Sequence, residues 1–285
     1  MKTLDTLIPD IYEVLDGLNS DKGIDISEEL MADFLFNMRE ALEGWSTPHL
    51  QSKTIRMSNV GRPLRRVWYD MQDTDDTRKD MHPSNFIKFL YGHLLEQIAI
   101  LLIKLSGHEV SGMQKEVEVD GIKGHMDCKI DGEVVDIKTA SNFSFKKFSE
   151  GTLAEDDPFG YMAQLAGYEE AEGTDDGGFF AINKESGEIC LFRPGNLSKP
   201  NIRTKIATIK ESLTIDEPPA ICYPPIPEGK KGNLRLVSGC VYCPHKAKCW
   251  KDSNNGRGLR AFKYSNGIKY FTRVIATPKV VEIAL

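Results

Sequence analysis

The chain has 285 residues, a length that accommodates one to two domains of ordinary size. Hydrophobic residues make up 40% and charged residues 27%, the profile of a soluble globular protein, and the net charge of −6 excludes a bulk basic coat but not a local basic groove. No apolar run approaches the ~18 residues of a membrane span and no secretory signal is visible, so we expect a cytoplasmic protein without a membrane partner.

Hydrophobic periodicity along the first 200 residues predicts alternating helices and strands. The predicted helices cover residues 3–19, 27–45, 83–105 and 158–172, with Ser27 as an N-cap and Gly44 as a stop signal of the second. The predicted strands cover residues 115–119, 124–130, 133–139, 179–183 and 188–192. This order predicts an α/β fold in which a central mixed β-sheet is flanked by helices.

Composition divides the chain into three regions. We expect an N-terminal helical region over residues 1–50, a core over 51–215, and a C-terminal cysteine-rich element with a basic tail over 216–285. Residues 46–66 are interpreted as a polar, basic connection, and the proline-rich residues 218–227 as a linker or an extended wrap. The tail at 257–273 is basic.

Asp131-Gly132 between two alternating strands predicts a two-residue hairpin turn. Counting outward from this turn places Asp127 opposite Asp136 on one face, with Cβ atoms about 4.5–5.5 Å apart. Lys138 shares that face because strand side chains alternate. Two opposed carboxylates repel unless something neutralises them, so the hairpin predicts a divalent-cation site.

A third carboxylate, Glu96, lies in the middle of the most apolar predicted helix. A buried, unpaired carboxylate costs several kcal/mol or becomes protonated. Together with the hairpin, Glu96 is therefore the expected third ligand, and Gly92 would allow another backbone or a substrate to approach closely.

Four short motifs occur in order: Gly92-x-x-x-Glu96, Gly124-x-x-Asp127, Asp136-x-Lys138 and Gln164-x-x-x-Tyr168. In this order and spacing, over about residues 86–168, the chain resembles the PD-(D/E)XK nuclease superfamily. The similarity is to its RecB-like and lambda-exonuclease-like branch, in particular to a phage-type exonuclease. The resemblance implies a restriction-endonuclease-like core.

The resemblance also implies roles for the motif residues. The implied catalytic residues are Glu96, Asp127, Asp136, Lys138, Gln164 and Tyr168. The carboxylates of Glu96, Asp127 and Asp136, with the carbonyl of Ile137, would bind Mg²⁺ or Mn²⁺, which activates a water. Lys138 would orient or deprotonate that water and stabilise charge on the phosphate. Some relatives use a histidine of this helix as a ligand, here His93, but the Gly92-x-x-x-Glu96 spacing favours Glu96.

Cysteines cluster near the C-terminus as Cys240-x-x-Cys243-x5-Cys249, with Cys222 upstream. This spacing predicts a metal site, and the triplet resembles that of RecB-like nucleases with a [4Fe–4S] cluster. The first cysteine of that family precedes the core, where this chain has Arg62-Pro63. Cys222 would replace it, or the site binds Zn²⁺ with participation of His245. Cys128 and Cys190 are interpreted as core strand residues.

We therefore expect a metal-dependent DNA exonuclease acting in phage or bacterial recombination, repair or replication. Its compartment would be the cytoplasm, that of the bacterial host if the chain is phage-encoded, and recombination or replication proteins would be further partners beside DNA. The predicted DNA contacts are Arg62, Arg65, Arg66, Lys146, Lys147, Gln164 and Tyr168. Alternatives are a structure-selective endonuclease of the same fold, or a non-catalytic nucleic-acid-binding module that uses the cysteines.

Overall fold

The structure, a computed structural model, describes residues 2–21, 23–47, 53–72, 82–195 and 198–284. The chain forms two compact units. Unit 1 comprises Met1–Gly61 and Arg78–Thr208, and unit 2 comprises Arg62–Thr77 and Ile209–Leu285. This partition differs from the predicted regions, because the N-terminal helices belong to the same unit as the central sheet.

The helices and strands are numbered in chain order. The α-helices are α1 (Leu7–Asp16), α2 (Glu28–Ser46), α3 (Met57–Val60), α4 (Leu64–Gln72), α5 (Ser84–Leu105), α6 (Asn142–Ser149), α7 (Tyr161–Glu172), α8 (Ile202–Ser212), α9 (Ser238–Val241) and α10 (Lys246–Cys249). The strands of unit 1 are β1 (Val110–Ser111), β2 (Lys115–Val119), β3 (Ile122–Met126), β4 (Cys128–Ile130), β5 (Glu133–Ala140), β6 (Gly178–Asn183) and β7 (Ile189–Phe192). Those of unit 2 are β8 (Ile226–Glu228), β9 (Asn233–Arg235), β10 (Arg260–Tyr264), β11 (Gly267–Arg273) and β12 (Val281–Ile283).

The central sheet of unit 1 has the strand order β1-β4-β5-β6-β7. β5 and β6 run parallel and the other neighbours run antiparallel, so the sheet is mixed. A core of buried side chains joins this sheet to α1 and α5; it includes Leu7, Ile103, Val135 and Phe180. The predicted fold class, a central mixed sheet flanked by helices, is confirmed.

The hairpin between β4 and β5 has the predicted register. Ile130 pairs with Glu133, Lys129 with Val134 and Cys128 with Val135. Positive φ angles at Asp131 and Gly132 match the two-residue turn expected from their sequence.

The predicted strand over residues 124–130 is divided in two at Asp127. Its first part, β3, forms a separate hairpin with β2, and its second part is β4 of the central sheet. At the break, the Asp127 backbone carbonyl accepts a hydrogen bond from the Gln114 N–H, at 3.1 Å. The Asp127 side chain is therefore placed where the two sheets separate.

Two helical predictions need correction. α2 begins after Ser27, whose hydroxyl accepts a hydrogen bond from the Leu30 N–H, as predicted, but it continues to Ser46, so Gly44 does not end it. The predicted connection over residues 46–66 contains α3 and the start of α4; its residues 48–52 lie outside the described ranges. α3 escaped prediction because four residues are too few for a helical period to show.

Helix α5 is long and apolar enough to cross a membrane by length and composition alone. Core helices of soluble proteins pass the same test. Here Ala99, Ile100 and Ile103 of α5 lie in the core beneath the central sheet, whereas Phe89 and Tyr91 in its first half are exposed.

Unit 2 contains an antiparallel sheet with the strand order β12-β10-β11-β9-β8. A small core of Leu236, Cys240 and Leu259 supports the cysteine-bearing helices α9 and α10. This sheet was not predicted, and most of the basic tail at 257–273 belongs to it. Strands β8, β9 and β12 have three residues each, too few for a period to show, although β10 and β11 form a hairpin of neighbouring segments.

Two glycines make a close backbone contact that fixes the start of α7. A Cβ on Gly160 would lie 2.2 Å from the carbonyl carbon of Gly61 and 2.3 Å from its Cα. Gly160 also has φ of +82°, a left-handed conformation that favours glycine. No side chain fits at this contact.

Gly160→Ala is expected to destabilise the protein by roughly 2–4 kcal/mol, because it adds left-handed backbone strain to a steric overlap with backbone. Gly173→Ala, at the other end of α7, is the matched control: its φ is +67°, but nothing lies within 4 Å of the added Cβ. Thermal unfolding should show the larger loss for Gly160→Ala; equal losses would exclude the steric contribution.

Candidate active site

Asp136 and Lys138 lie on β5, in the middle of the central sheet. Asp136 is fully buried at 0% exposure, and neither carboxylate oxygen accepts a hydrogen bond of good geometry. The Lys138 ammonium lies in ion-pair contact with one of these oxygens. A buried carboxylate with unused acceptor capacity is costly, so this position needs more positive charge than Lys138 supplies.

Asp127 reaches β5 from the end of β3. Its Oδ2 accepts a hydrogen bond from the Ile137 N–H at 2.8 Å, which brings the carboxylate close to Asp136, although the pairing of β4 with β5 ends at Cys128 and Val135. Burial, and then the negative charge of Asp136, raise the pKa of Asp127 well above its ordinary value. The two aspartates therefore share one electrostatic environment.

Glu96 approaches the same place from α5. A Cβ built on Gly92 would lie 3.9 Å from Thr139 Oγ1, so this turn of the helix passes close to β5. Glu96 Oε1 accepts a hydrogen bond from Gln114 Nε2 at 3.0 Å. Burial raises the pKa of Glu96, and the charge of Asp136 raises it further.

Lys138 is held by charge and by an aromatic ring. Burial alone would lower the pKa of Lys138, but the charges of Asp136 and Asp127 outweigh that effect and raise it. Its ammonium lies 4.8 Å from the centre of the Tyr161 ring, a cation–π contact. The lysine is therefore a protonated, positioned donor in this arrangement.

Gln164 and Tyr168 lie one turn apart on α7. Gln164 Nε2 donates a hydrogen bond to Tyr168 Oη at 2.9 Å. Burial and then the charge of Asp136 raise the pKa of Tyr168. The start of α7 is fixed by Asp157, whose carboxylate accepts hydrogen bonds from the N–H groups of Gly160, Tyr161 and Met162, at 2.8–3.0 Å.

The chemistry of this donor set fits a divalent cation. Glu96, Asp127 and Asp136 carry three negative charges when ionised, and Lys138 returns one positive charge, so a divalent ion would balance the remainder. Within the described ranges, no three His, Cys, Asp or Glu side chains already converge as a coordination shell. Ligation by the Ile137 carbonyl stays a prediction, and His93 is an exposed side chain of α5.

All four predicted cysteine ligands lie in unit 2, but within the described ranges no three of them converge as a metal site. Cys240 is buried, and Cys222, Cys243 and Cys249 are half-buried. Burial first, and then the charges of the other three cysteines, raise the pKa of the Cys240 thiol to about 12. Arg65 Nε lies 3.2 Å from Cys249 Sγ as a hydrogen-bond donor. His245 Nε2 lies 2.7 Å from Asp70 Oδ1.

The arginines predicted to contact DNA are engaged within unit 2. Arg65 bonds Cys249 and the carbonyls of Pro218 and Pro219, while Arg62 and Arg66 face Asp70, at 3.5 and 4.0 Å. In unit 1, Lys146 is exposed, and Lys147 pairs with the Asp156 carboxylate at 2.5 Å. DNA contact by these five residues stays a prediction.

Sequence reasoning missed two neighbours of the site. Gln114, which bonds Glu96, comes from a loop between β1 and β2 that carries no motif. Tyr161, which lies beneath the Lys138 ammonium, is the first residue of α7, three positions before Gln164. Because α7 carries the Gln164-x-x-x-Tyr168 motif, the position of Tyr161 at its start could have predicted that this side chain lies near the site.

Comparison with known proteins gives low similarity. No family model matches the sequence, and no curated protein matches it. Among solved structures, SSO0001 is 18% identical with a TM-score of 0.44 over 74% of this chain and 93% of that chain. An alkaline exonuclease (LHK-Exo) from Laribacter hongkongensis is 15% identical with a TM-score of 0.37 over 60% of this chain and 92% of that chain. At such values the function has to be argued from the chain's own residues.

Proposed function

We propose that the chain is a metal-dependent DNA nuclease, and that it degrades DNA from its ends. The observation that carries the proposal is the Asp136 carboxylate. It is fully buried and lacks well-formed hydrogen bonds. It interacts electrostatically with Asp127, Glu96 and Lys138. A non-catalytic binding module has no need to hold carboxylates against one another in this way.

The roles follow from the contacts. Glu96, Asp127 and Asp136 would hold Mg²⁺ or Mn²⁺, which polarises the scissile phosphate and lowers the pKa of a bound water. Lys138 keeps its ammonium beside Asp136 and supplies positive charge to the phosphate oxygens as charge develops there. Tyr168 is buried at 2% exposure and accepts a hydrogen bond from Gln164, so of this pair only the half-buried Gln164 would contact the DNA strand, with Tyr168 holding it in place.

In unit 2 we propose a second metal centre, held by Cys222, Cys240, Cys243 and Cys249. It is supported by the placement of all four cysteines in unit 2 and by the Arg65 N–H group directed at Cys249 Sγ, since hydrogen bonds to sulfur are typical of thiolate metal sites. The proposed occupant is a [4Fe–4S] cluster, with Zn²⁺ as the alternative. Its role would be structural.

The end-directed reaction is tested with linear and closed circular DNA of the same sequence. In Mg²⁺ or Mn²⁺ we expect nucleotide release from labelled linear DNA and no change in the circle. Addition of EDTA should abolish the reaction. Efficient nicking of the circle would instead identify a structure-selective endonuclease, and no cleavage of either with either ion would contradict the nuclease proposal.

Lys138→Ala is expected to lower the cleavage rate by ~10²–10³-fold, since one donor to the developing charge is lost. DNA affinity should change little, because the contribution is made in the chemical step. Lys129→Ala, on the neighbouring strand β4, is the control and should cleave normally; Lys129 pairs with Glu172. Full activity of Lys138→Ala would show that Lys138 does not take part in the reaction.

A further inference from the structure

A pocket of about 190 Å³ opens beside Lys138 in unit 1. Its walls come from the end of β5, from α6 and from the segment that leads into α7. Drug-sized ligands usually occupy about 300–1,000 Å³, so this pocket suits a smaller, flat group. Because Lys138 lines it, an occupant would lie next to the proposed reacting phosphate.

One wall of the pocket is a stack of three aromatic rings. The Phe148 and Tyr161 centroids are 6.3 Å apart with planes at 30°, and the Tyr161 and Phe159 centroids are 5.5 Å apart with planes at 22°. Phe148 is buried, whereas Phe159 is 51% exposed. The stack therefore runs outward from the core and ends in a ring with a face open to another planar group.

Two lysines also line the pocket. Lys147 lies there, with its ammonium 5.2 Å from the centre of the Phe143 ring, which is 72% exposed. Lys184 also lines the pocket, and its ammonium pairs with no carboxylate in the described part of the chain. The acidic lining residues are engaged: Asp156 with Lys147, and Asp157 with the start of α7.

Residues 143–148 interleave phenylalanines with two lysines, a pattern suited to stacking on an unpaired base. In the structure these phenylalanine rings lie in two different environments. Phe145 and Phe148 are buried in the core, while Phe143 is exposed beside Lys147. The exposed ring at the pocket itself is Phe159, which the sequence pattern did not include.

We propose that this pocket binds the base of an unpaired nucleotide adjacent to the scissile phosphate, stacked on Phe159. The flat wall accepts the base, and Lys184 favours the charged backbone beside it. A paired base cannot enter, because its hydrogen bonds hold it in the plane of its partner on the other strand. The proposal rests on the proposed nuclease function and narrows its substrate to DNA with an unpaired terminal nucleotide.

The test uses the full-length protein in EDTA, so that binding is measured without cleavage. Two single-stranded oligonucleotides carry the fluorescent base 2-aminopurine, one at the 5′ end and one at the 3′ end. We expect the emission of one of them to be quenched on binding, because this base loses fluorescence when it stacks. An otherwise identical oligonucleotide with an abasic terminal position should bind more weakly, by about 10-fold in Kd.

Variants at Phe159 separate stacking from charge. Phe159→Ala should lose the quenching and raise the Kd by about 10-fold, whereas Phe159→Tyr should retain both. Phe36→Ala is the matched control, since Phe36 is a 60% exposed ring on α2 that does not line the pocket. Quenching that persists in Phe159→Ala, or equal Kd values with and without the terminal base, would overturn the proposal.

Activity measurements distinguish this failure from failure of the nuclease function. With Mg²⁺, cleavage by Phe159→Ala should fall more on DNA with an unpaired end than on blunt duplex of the same length. If the protein cleaves DNA but Phe159→Ala loses equal activity on both substrates, the proposal of a base-binding pocket is wrong and the nuclease proposal stands. Quenching that depends on Phe159 in a protein that cleaves nothing would retain the pocket and overturn the nuclease.

Discussion

Asp136→Asn is expected to reduce Mg²⁺-dependent DNA cleavage by at least ~10³-fold, which corresponds to about 4 kcal/mol in the activation free energy. The substitution keeps the size of the side chain and removes the charge that holds the metal. Removing a metal ligand should cost more than removing one donor, so we expect this effect to exceed that of Lys138→Ala.

The stability of the same variant is a second readout. In metal-free buffer, Tm should be equal to or higher than that of the unaltered protein, because one of three mutually repelling carboxylates becomes neutral. Lys138 keeps a counter-charge in Asp127, so the substitution does not leave a buried ammonium without compensation. An Asp136→Asn protein that is inactive because it is unfolded would contradict this view of the site.

The control for Asp136→Asn is Glu118→Gln, which neutralises an exposed carboxylate on β2 in the same unit. It should leave cleavage and Tm unchanged. Isothermal titration calorimetry measures Mg²⁺ binding directly. The heat of binding should be present for Glu118→Gln and lost for Asp136→Asn. Equal cleavage rates of the two variants would show that Asp136 does not take part in the reaction.

The parts of the site that sequence predicted are those fixed by local rules. The turn at Asp131 and Gly132 sets the register of β4 and β5, and alternation along β5 then places Asp136 and Lys138. Glu96 was predicted as a site residue because a carboxylate is unusual in so apolar a helix. Each inference needed only residues within one hairpin or one helix.

The parts that sequence missed depend on distant partners. Helix α6 contains serine, asparagine and phenylalanine, residues of modest helix propensity, and its helical form is stabilised by burial of Phe145 and Phe148. Arg65 was expected at DNA from charge alone, whereas its bonds to Cys249 and Pro218 link positions more than 150 residues apart. No local pattern encodes such contacts.

Cys240→Ser is expected to abolish binding of the proposed metal and to unfold the cysteine-bearing part of unit 2. The purified protein should contain about four irons per chain and a broad visible absorption band if a [4Fe–4S] cluster is present, or one zinc and no colour otherwise. Metal analysis and limited proteolysis of the full-length chain measure both effects. Cys190→Ser is the control, because Cys190 lies on β7 in unit 1, outside the cysteine cluster.

The large effect expected of Cys240→Ser follows from how little else stabilises this part of the chain. Its core consists of Leu236, Cys240 and Leu259 with a few half-buried neighbours, and α9 and α10 have four residues each. Structural metal sites contribute ~10–16 kcal/mol to the folding of small zinc-finger peptides, far more than so small a core can supply. Cys240→Ser should therefore be digested within this segment while unit 1 stays intact. Wild-type protein that contains no metal after purification and still resists protease in this segment would show that burial alone holds the segment and that the four cysteines bind no metal.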